Sequence, residues 1–274
     1  MLRAVGFGVL GLIVVVIAIA TISHWLWDRS IASEMASLEA DALRQDQVVV
    51  AEMLAGLPRP VQRYLLNAGV VGKPIPTTVR LTQTGRIRNS PDAEWMSFEA
   101  EEVYTTNPPG FVWRAWLPGQ SAPIVMGRDI YLGGRSSIVM RMLGLLPVAE
   151  QSGDELSEAG LMRYLNEIMW FPMAYLDDAV TWEPIDEHSA RITITDQGLS
   201  VSAMLYVDDD GRLTNFSAER FNTETGRMES WETPVTDYAE FNGLKLPVAG
   251  QGVWAREGGD FAYIELEVTG IVFE

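Results

Sequence analysis

Hydrophobic and polar residues follow three different spacings along the chain. Residues 4–22 carry no charge, residues 28–68 have apolar positions every three to four residues, and from Thr78 onward apolar and polar residues alternate. One helical pattern, near residues 154–170, interrupts the alternation. A period of 3.6 residues is typical of an amphipathic helix, and a period of two is typical of a half-buried strand. The pattern therefore predicts an apolar N-terminal segment, a helical region, and a β region with one helix in its middle.

The N-terminal apolar run has the length of a membrane-spanning helix. Residues 4–22 contain no charge, and extended to Trp27 the run reaches the roughly 20 apolar residues that a spanning helix needs. Trp25 and Trp27 lie where an interfacial belt of aromatic side chains is expected. The run therefore predicts a transmembrane anchor in residues 1–27.

The charges on either side of the run predict its orientation. Arg3 precedes it and acidic residues follow it, so the positive-inside rule places the N-terminus in the cytoplasm and the rest of the chain outside. A cleaved signal peptide is the alternative, since Ala18-Ile19-Ala20 resembles a cleavage site. The run, however, exceeds the roughly 7–15 residues of a signal core. We expect a single-pass protein of the bacterial inner membrane, with residues 28–274 as a periplasmic domain.

Residues 28–68 are predicted to be mainly helical. Their apolar residues recur at helical spacing and suggest one buried stripe, formed by Leu43, Val50, Met53, Leu54 and Leu57. Pro58 and Pro60 interrupt the pattern, and Gly69, a residue type that often follows a helix, closes it. We predict helix over about residues 32–68, packed against a sheet.

The alternating region beyond Thr78 predicts a β domain. Turn sequences are predicted at residues 107–110, 127–129, 133–134, 186–189, 208–211 and 241–243. About ten short strands joined by such turns indicate an antiparallel meander curled into a half-barrel. Since no Pro/Ser-rich linker divides the region, we predict one α+β domain with a helical insertion near residues 145–176.

The helical insertion has an apolar face and a polar face. Asp154 and Glu155 suit the first turn of a helix, and Pro172 ends it. The apolar face consists of Leu161, Met162, Leu165, Ile168 and Met169, and the opposite face of Arg163, Asn166, Glu167 and Trp170. The helix either plugs one side of the sheet or acts as a lid over a concave, apolar sheet face. In the lid hypothesis the apolar face contacts a ligand, the polar face stays partly wet, and Trp170 and Phe171 lie at the mouth.

Charge and residue types exclude several classes of function. The chain has 37 acidic and 20 basic residues and a formal net charge of −17, so nucleic acid would be repelled. It has no cysteine and two histidines, His24 and His188, which form neither a zinc site nor, without a serine motif, a catalytic triad. Residues 208–211 (Asp-Asp-Asp-Gly) lack the glutamate of a calcium loop, because Ser217 stands in its place. We expect no catalytic residue, no metal and no cofactor.

Apolar and aromatic residues supply the remaining site candidates, because ligand sites in barrels are mainly apolar with a few polar groups. The candidate ligand-binding residues are Met162, Leu165, Met169, Trp170 and Phe171 on the insertion, and Trp113, Tyr131 and Trp231 on strands. Arg163, Asn166 and Glu167 are the candidate polar face of the lid. The acidic residues Glu99, Glu101 and Glu102 are interpreted as a solvated strand face.

The central helix also carries a resemblance. The stretch Arg163-Tyr164-Leu165-Asn166-Glu167, followed by Trp170-Phe171-Pro172, resembles an uncharacterised family of bacterial proteins that often have one N-terminal membrane helix. The similarity extends from about Leu57 to the C-terminus and includes LPRPVQRYL at Leu57, Trp182 with Asp186 and Ala190, DDDGRL at Asp208, and GLKLP at Gly243. That family implies no activity. In its order of helices and strands the chain looks like the LolA/LppX class of lipoprotein carriers, which implies an open half-barrel that is closed by helices and holds acyl chains.

These features favour one function and leave one alternative. We expect a membrane-anchored, extracytoplasmic, non-enzymatic domain that binds a lipid or another apolar small molecule in its half-barrel. The alternative is a structural or interaction module of the cell envelope with a filled core and no ligand. A wide cavity between sheet and helix would favour the first, and a fully packed interior the second.

Overall fold

The computed structural model describes residues 2–118, 125–256 and 258–274. In these residues the chain forms three α-helices: α1 (Leu2–Asp41), α2 (Arg59–Ala68) and α3 (Asp154–Glu167). Short 3₁₀ turns lie at Ala51–Leu54, Ile168–Trp170 and Pro172–Leu176. The strands are β1 (Thr78–Ile87), β2 (Met96–Thr105), β3 (Gly110–Leu117), β4 (Val125–Leu132), β5 (Arg135–Met142), β6 (Leu146–Ser152), β7 (Val180–Pro184), β8 (Ser189–Asp196), β9 (Leu199–Val207), β10 (Leu213–Asn222), β11 (Arg227–Glu232), β12 (Val235–Phe241), β13 (Leu244–Trp254) and β14 (Phe261–Phe273).

The strands form one antiparallel sheet that curls into a half-barrel. Its order is β6-β5-β4-β3-β2-β1-β14-β13-β11-β10-β9-β8-β7, and β12 pairs with β13 beside this path. The pairing of β1 with the last strand, β14, joins the two halves of the meander. The edges of the sheet are β6 and β7. The α+β class and the antiparallel half-barrel predicted from the sequence are confirmed, with fourteen strands in place of about ten.

Part of the difference in strand number arises where a helical insertion was predicted. Residues 145–176 were assigned to that insertion, but Leu146–Ser152 forms β6 and pairs with β5. Leu143 and Gly144 both have a positive φ, 55° and 67°, as the two central residues of a tight hairpin turn require. The turn folds the chain back onto β5, and the helix begins only at Asp154.

α3 crosses the open, concave side of the half-barrel. It follows one edge strand, β6, and leads through two 3₁₀ turns to the other edge strand, β7. It contacts β4, β5, β9 and β10. Leu161 and Leu165 of its apolar face are fully buried in the main core, together with Tyr64 of α2 and Leu205 of β9. Part of the concave side is therefore filled by packed side chains.

The prediction of helix over residues 32–68 is wrong in its middle part, because residues 42–50 are not helical. α1 continues to Asp41, and the chain is then non-helical until Ala51. β-branched residues favour extended backbone, and Val49, within a run of three valines, exchanges backbone hydrogen bonds with Gly72 and Lys73. Val49 is buried, whereas Leu43 and Val50 of the expected stripe are exposed.

The second half of α1 packs on the outer, convex face of the sheet. Trp27, Ile31, Met35 and Leu38, three to four residues apart, form a second core with side chains of β2–β5. The earlier part of α1 is long and apolar enough to cross a membrane, and none of the side chains in that stretch that the structure describes is buried. One continuous helix therefore connects the apolar segment to the domain without a flexible linker.

Candidate ligand cavity

A cavity of about 590 Å³ lies between the concave face of the sheet and α3. Its walls are mainly aromatic and aliphatic side chains, among them Trp113, Met140, Leu156, Met169, Trp231 and Leu266. Alternation along a strand turns every second side chain inward, so strands far apart in sequence contribute to one wall. The half-barrel therefore encloses a largely apolar space beside its packed core.

The mouth of the cavity lies at one end of the half-barrel. The lining residues that are exposed are Asn89, Met96, Val148 and Glu224. They belong to the ends of β1 and β10 and the starts of β2 and β6, which lie together because neighbouring strands run in opposite directions. The opposite end of the half-barrel is covered by α2 and the main core.

One wall of the cavity carries a buried cluster of charged groups centred on Arg163. The guanidinium donates from Nη2 to Glu102 Oε1 at 2.8 Å, from Nη1 to Asp129 Oδ2 at 2.7 Å and from Nε to Glu167 Oε1 at 2.8 Å. Glu102 lies in β2, Asp129 in β4, and the other two residues in α3. We call these four residues the Arg163 cluster. It ties the helix to two strands of the concave face.

Neutral side chains add further hydrogen bonds to the Arg163 cluster. Gln83 donates to Glu102 at 3.1 Å and accepts a hydrogen bond from the indole of Trp113 at 3.1 Å. The Tyr104 hydroxyl donates to Glu167 Oε2 at 3.0 Å. Buried charges are tolerated when they are paired and hydrogen-bonded in this way. Among the described residues, no group of three or more acidic or histidine side chains is arranged to hold a metal ion.

Two of the three carboxyl groups of the Arg163 cluster, those of Glu102 and Glu167, have a raised pKa, and burial is the main cause. Burial raises the pKa of Glu102 well above its usual value, against the opposing effect of Arg163, and the nearby Glu167 raises it further. Burial also raises the pKa of Glu167. These carboxyl groups hold a proton more readily than in water, because a low-polarity surrounding penalises the charged form. The cluster can therefore offer both donors and acceptors to a polar group in the cavity.

A second set of polar contacts joins α3 to the β10–β11 side of the cavity. The guanidinium carbon of Arg220, in β10, is 4.7 Å from the centroid of the Trp231 ring, and its Nε donates to the Ala159 carbonyl of α3 at 3.3 Å. Asn166 of α3 donates to Thr233 Oγ1 at 2.7 Å. These contacts fix α3 to the strands on the side opposite the Arg163 cluster.

The structure separates the candidate site residues into two groups. Trp113, Met169, Trp170 and Trp231 line the cavity, as do Arg163, Asn166 and Glu167. Met169, Trp170 and Trp231 also belong to the main core, whereas Met162, Leu165, Phe171 and Tyr131 lie in that core without lining the cavity. The Tyr131 hydroxyl donates to Asp196 at 2.6 Å. Within α3, Arg163, Asn166 and Glu167 therefore line the cavity, whereas Leu161, Met162 and Leu165 lie in the core, the reverse of the orientation expected from the sequence. Its charged side chains find their partners on the concave strands.

Sequence reasoning missed Glu102 and Asp129. The turn predicted at residues 127–129 is wrong, because Asp129 lies within β4 and pairs with Trp113 of β3. The acidic residues of β2 were interpreted as a solvated face, yet the Glu102 side chain is fully buried. Glu102 lies in phase with the buried Ala100 and Phe98, two and four residues earlier, so the period-two pattern placed it on the inner face. That phase was the available signal.

Residues 47–266 match the model of a protein family described as Family of unknown function (DUF6544). The chain belongs to this family. The match confirms the resemblance to an uncharacterised family drawn from the central helix and its flanking turns. The matched residues include the Arg163 cluster and every lining residue of the cavity named above, whereas α1 precedes them.

Two solved structures resemble the DUF6544 chain. A DUF1329 family protein from Desulfovibrio piger is 9% identical, with a TM-score of 0.43, over 73% of this chain and 86% of that one. A putative outer membrane lipoprotein-sorting protein domain from Vibrio parahaemolyticus is 9% identical, with a TM-score of 0.41, over 72% of this chain and 85% of that one. No curated protein matches the chain.

Proposed function

We propose that this domain binds a lipid or a similar apolar molecule in the half-barrel cavity, without catalysing a reaction. The cavity itself carries the proposal. Its volume of about 590 Å³ falls within the roughly 300–1,000 Å³ of small-molecule sites, and its walls are apolar with a few polar groups. Hydrocarbon would contact Met140, Leu156 and Trp231, and a polar end group would reach the Arg163 cluster or Arg220.

α3 acts in this proposal as a fixed cover over the cavity. Its apolar residues Leu161 and Leu165 are fully buried, and its polar residues are bonded to strands on both sides. Lifting the helix would expose Leu161 and Leu165 to water and would leave the polar side chains, including the charged Arg163, without their partners. Both effects cost free energy. The ligand would therefore pass through the mouth, past Met96 and Val148.

We also propose that the first half of α1 is a retained membrane anchor, with the N-terminus in the cytoplasm and the domain on the periplasmic side. The exposed apolar stretch of α1 and the single basic side chain before it support this topology. The helix continues without a break past the Ala18-Ile19-Ala20 sequence and into the part that packs on the sheet.

Filling the cavity tests ligand binding. Met140 lies on the cavity wall, so Met140→Trp should occupy ligand space, whereas Met204→Trp changes a similarly half-buried strand residue that does not line the cavity. The full chain in nanodiscs would be photo-crosslinked with a diazirine fatty acid, and the labelled peptides mapped by mass spectrometry. We expect labels on the α3 and β11 walls in the wild type and in Met204→Trp, and their loss in Met140→Trp.

The alternative function has its own outcome in the same experiment. The large packed core and the paired charges of the Arg163 cluster are also what a structural module of the cell envelope would need. Absence of cavity labelling in the wild type, with the spanning part of α1 labelled as an internal control, would favour that alternative.

A further inference from the structure

α1 fixes the direction in which the cavity mouth points. Within α1, Trp27 lies 5.2 Å from the guanidinium carbon of Arg141 at the end of β5, and Leu38 lies beside Gly110 at the start of β3. The end of β5 belongs to the mouth end of the half-barrel and the start of β3 to the closed end. The helix therefore meets the domain first at the mouth end, and its preceding apolar part extends beyond that end.

The length of the apolar part places the mouth at the membrane surface. Residues 2–22 of α1 span about 30 Å at 1.5 Å per residue, which is the thickness of the hydrocarbon core of a bilayer. Contact with the domain begins directly afterwards. A Cβ built on Gly144, in the β5–β6 turn, would lie 3.0 Å from the carbonyl oxygen of Ser23, so this turn packs on α1 where the spanning part ends.

The β5–β6 turn exposes apolar side chains at that level. Leu145, Leu146 and Val148 are 47%, 55% and 53% exposed, and Trp25 on α1 is 55% exposed. An edge strand with such side chains in water is prone to association, so natural proteins rarely leave one uncovered. Val148 also lines the cavity. One apolar surface therefore continues from the spanning helix, over the turn, into the cavity.

We propose that the cavity mouth docks on the leaflet in which α1 is anchored, with residues 145–148 inserted among the lipids. This inference rests on the anchoring proposed above. The occupant of the exposed turn is the bilayer itself, because the chain leads from one to the other without a linker. A lipid acyl chain can then move from the leaflet along Val148 into the cavity without crossing water.

Single labels test the docking. The chain has no cysteine, so Leu146→Cys and Leu66→Cys each give one labelling site on the full chain. Leu66 lies on α2 at the closed end and is as exposed as Leu146, which makes it the matched control. With an NBD label and phosphatidylcholine nanodiscs containing doxyl-labelled lipid, position 146 should show blue-shifted, quenched emission. The label at position 66 should show neither the blue shift nor the quenching. Equal, unquenched emission at both positions would overturn the proposal.

A second measurement separates docking from ligand binding. Leu146→Glu with Val148→Glu places charges in the turn, and Leu66→Glu with Val272→Glu places them on equally exposed residues at the closed end. A diazirine phospholipid in the nanodisc should label the cavity of the wild type and of the closed-end variant, and label it at least several-fold less in the turn variant. Unchanged labelling in the turn variant would contradict the proposed path. A quenched label at position 146 with no labelling in the wild-type cavity would uphold docking and reject ligand binding.

Discussion

Arg163 shows how this protein tolerates charge in its interior. Its three carboxyl partners come from β2, β4 and α3, and Gln83 and Tyr104 donate to the second oxygens of Glu102 and Glu167. Burial raises the pKa values of Glu102 and Glu167 more strongly than the nearby guanidinium of Arg163 lowers them, so the cluster favours a proton on one of these two carboxyl groups.

The raised pKa of Glu102 predicts a pH dependence of stability. Because burial raises its pKa in the folded state, the folded protein binds this proton more tightly than the unfolded chain does. The stability that this group contributes is therefore full below its usual pKa of 4.5 and is lost as pH rises through the folded pKa. Between these two pKa values, each pH unit removes about 1.4 kcal/mol.

Glu102→Gln should remove the loss of unfolding free energy that the Glu102 carboxyl group causes as pH rises. Denaturant unfolding from about pH 5 to about pH 8 should show the variant gaining stability relative to the wild type. Glu99→Gln, an exposed position in the same strand, serves as the control and should follow the wild type. A parallel pH course for Glu102→Gln and the wild type would contradict the assignment.

α3 acts at the scale of the element as a fixed part of the half-barrel. One face packs into the main core, and the other forms the cavity wall through bonded polar side chains. A helix held on both faces cannot open as a lid without losing both sets of contacts. Trp170, expected at an exposed rim, is only 3% exposed and contacts the ring of Tyr104 at a centroid distance of 6.5 Å.

Truncations along α3 should distinguish a fixed cover from a lid. We expect Leu165→Ala to cost about 2–5 kcal/mol and Trp170→Ala about 3–5 kcal/mol of unfolding free energy, because both leave buried cavities. Leu66→Ala, on the exposed side of α2, should stay within about 0.5 kcal/mol. A cost of about 1 kcal/mol or less for Trp170→Ala would indicate a loosely held helix end and favour the lid.

At the scale of the whole molecule, one helix links an apolar segment, long enough to cross a membrane, to an acidic domain. The C-terminal residue, Glu274, is exposed at the closed end of the half-barrel, away from the mouth. A fused reporter can therefore be attached there without obstructing the mouth.

Reporter fusions should reveal the topology. Alkaline phosphatase fused after Glu274 should be active, because this enzyme matures only outside the cytoplasm, and a fluorescent protein that folds only in the cytoplasm should be dark at the same place. The same fluorescent protein before Met1 should be bright, as the positive-inside rule requires. The opposite pattern would reject both the anchoring and the membrane-facing mouth.

The local features of this protein could be predicted from its sequence. Alternating residues identified the antiparallel half-barrel, turn residues such as Gly134 and Gly211 marked hairpins, and Asp154 marked the start of α3. The apolar N-terminal run likewise predicted a long apolar helix. Each of these depends on neighbours along the chain, whose spacing sets which side chains share a face.

Which faces of the helices and strands pack against each other is decided only by the tertiary structure. The polar face of α3 turns inward because Glu102 and Asp129 lie on distant strands that face it, a pairing that no local spacing reveals. Val49 was predicted to be helical but is extended, because its backbone forms hydrogen bonds with Gly72 and Lys73. The direction of the mouth likewise follows from where α1 touches the sheet. These outcomes depend on long-range contacts, and the free energy of burying or pairing a group exists only once those contacts form.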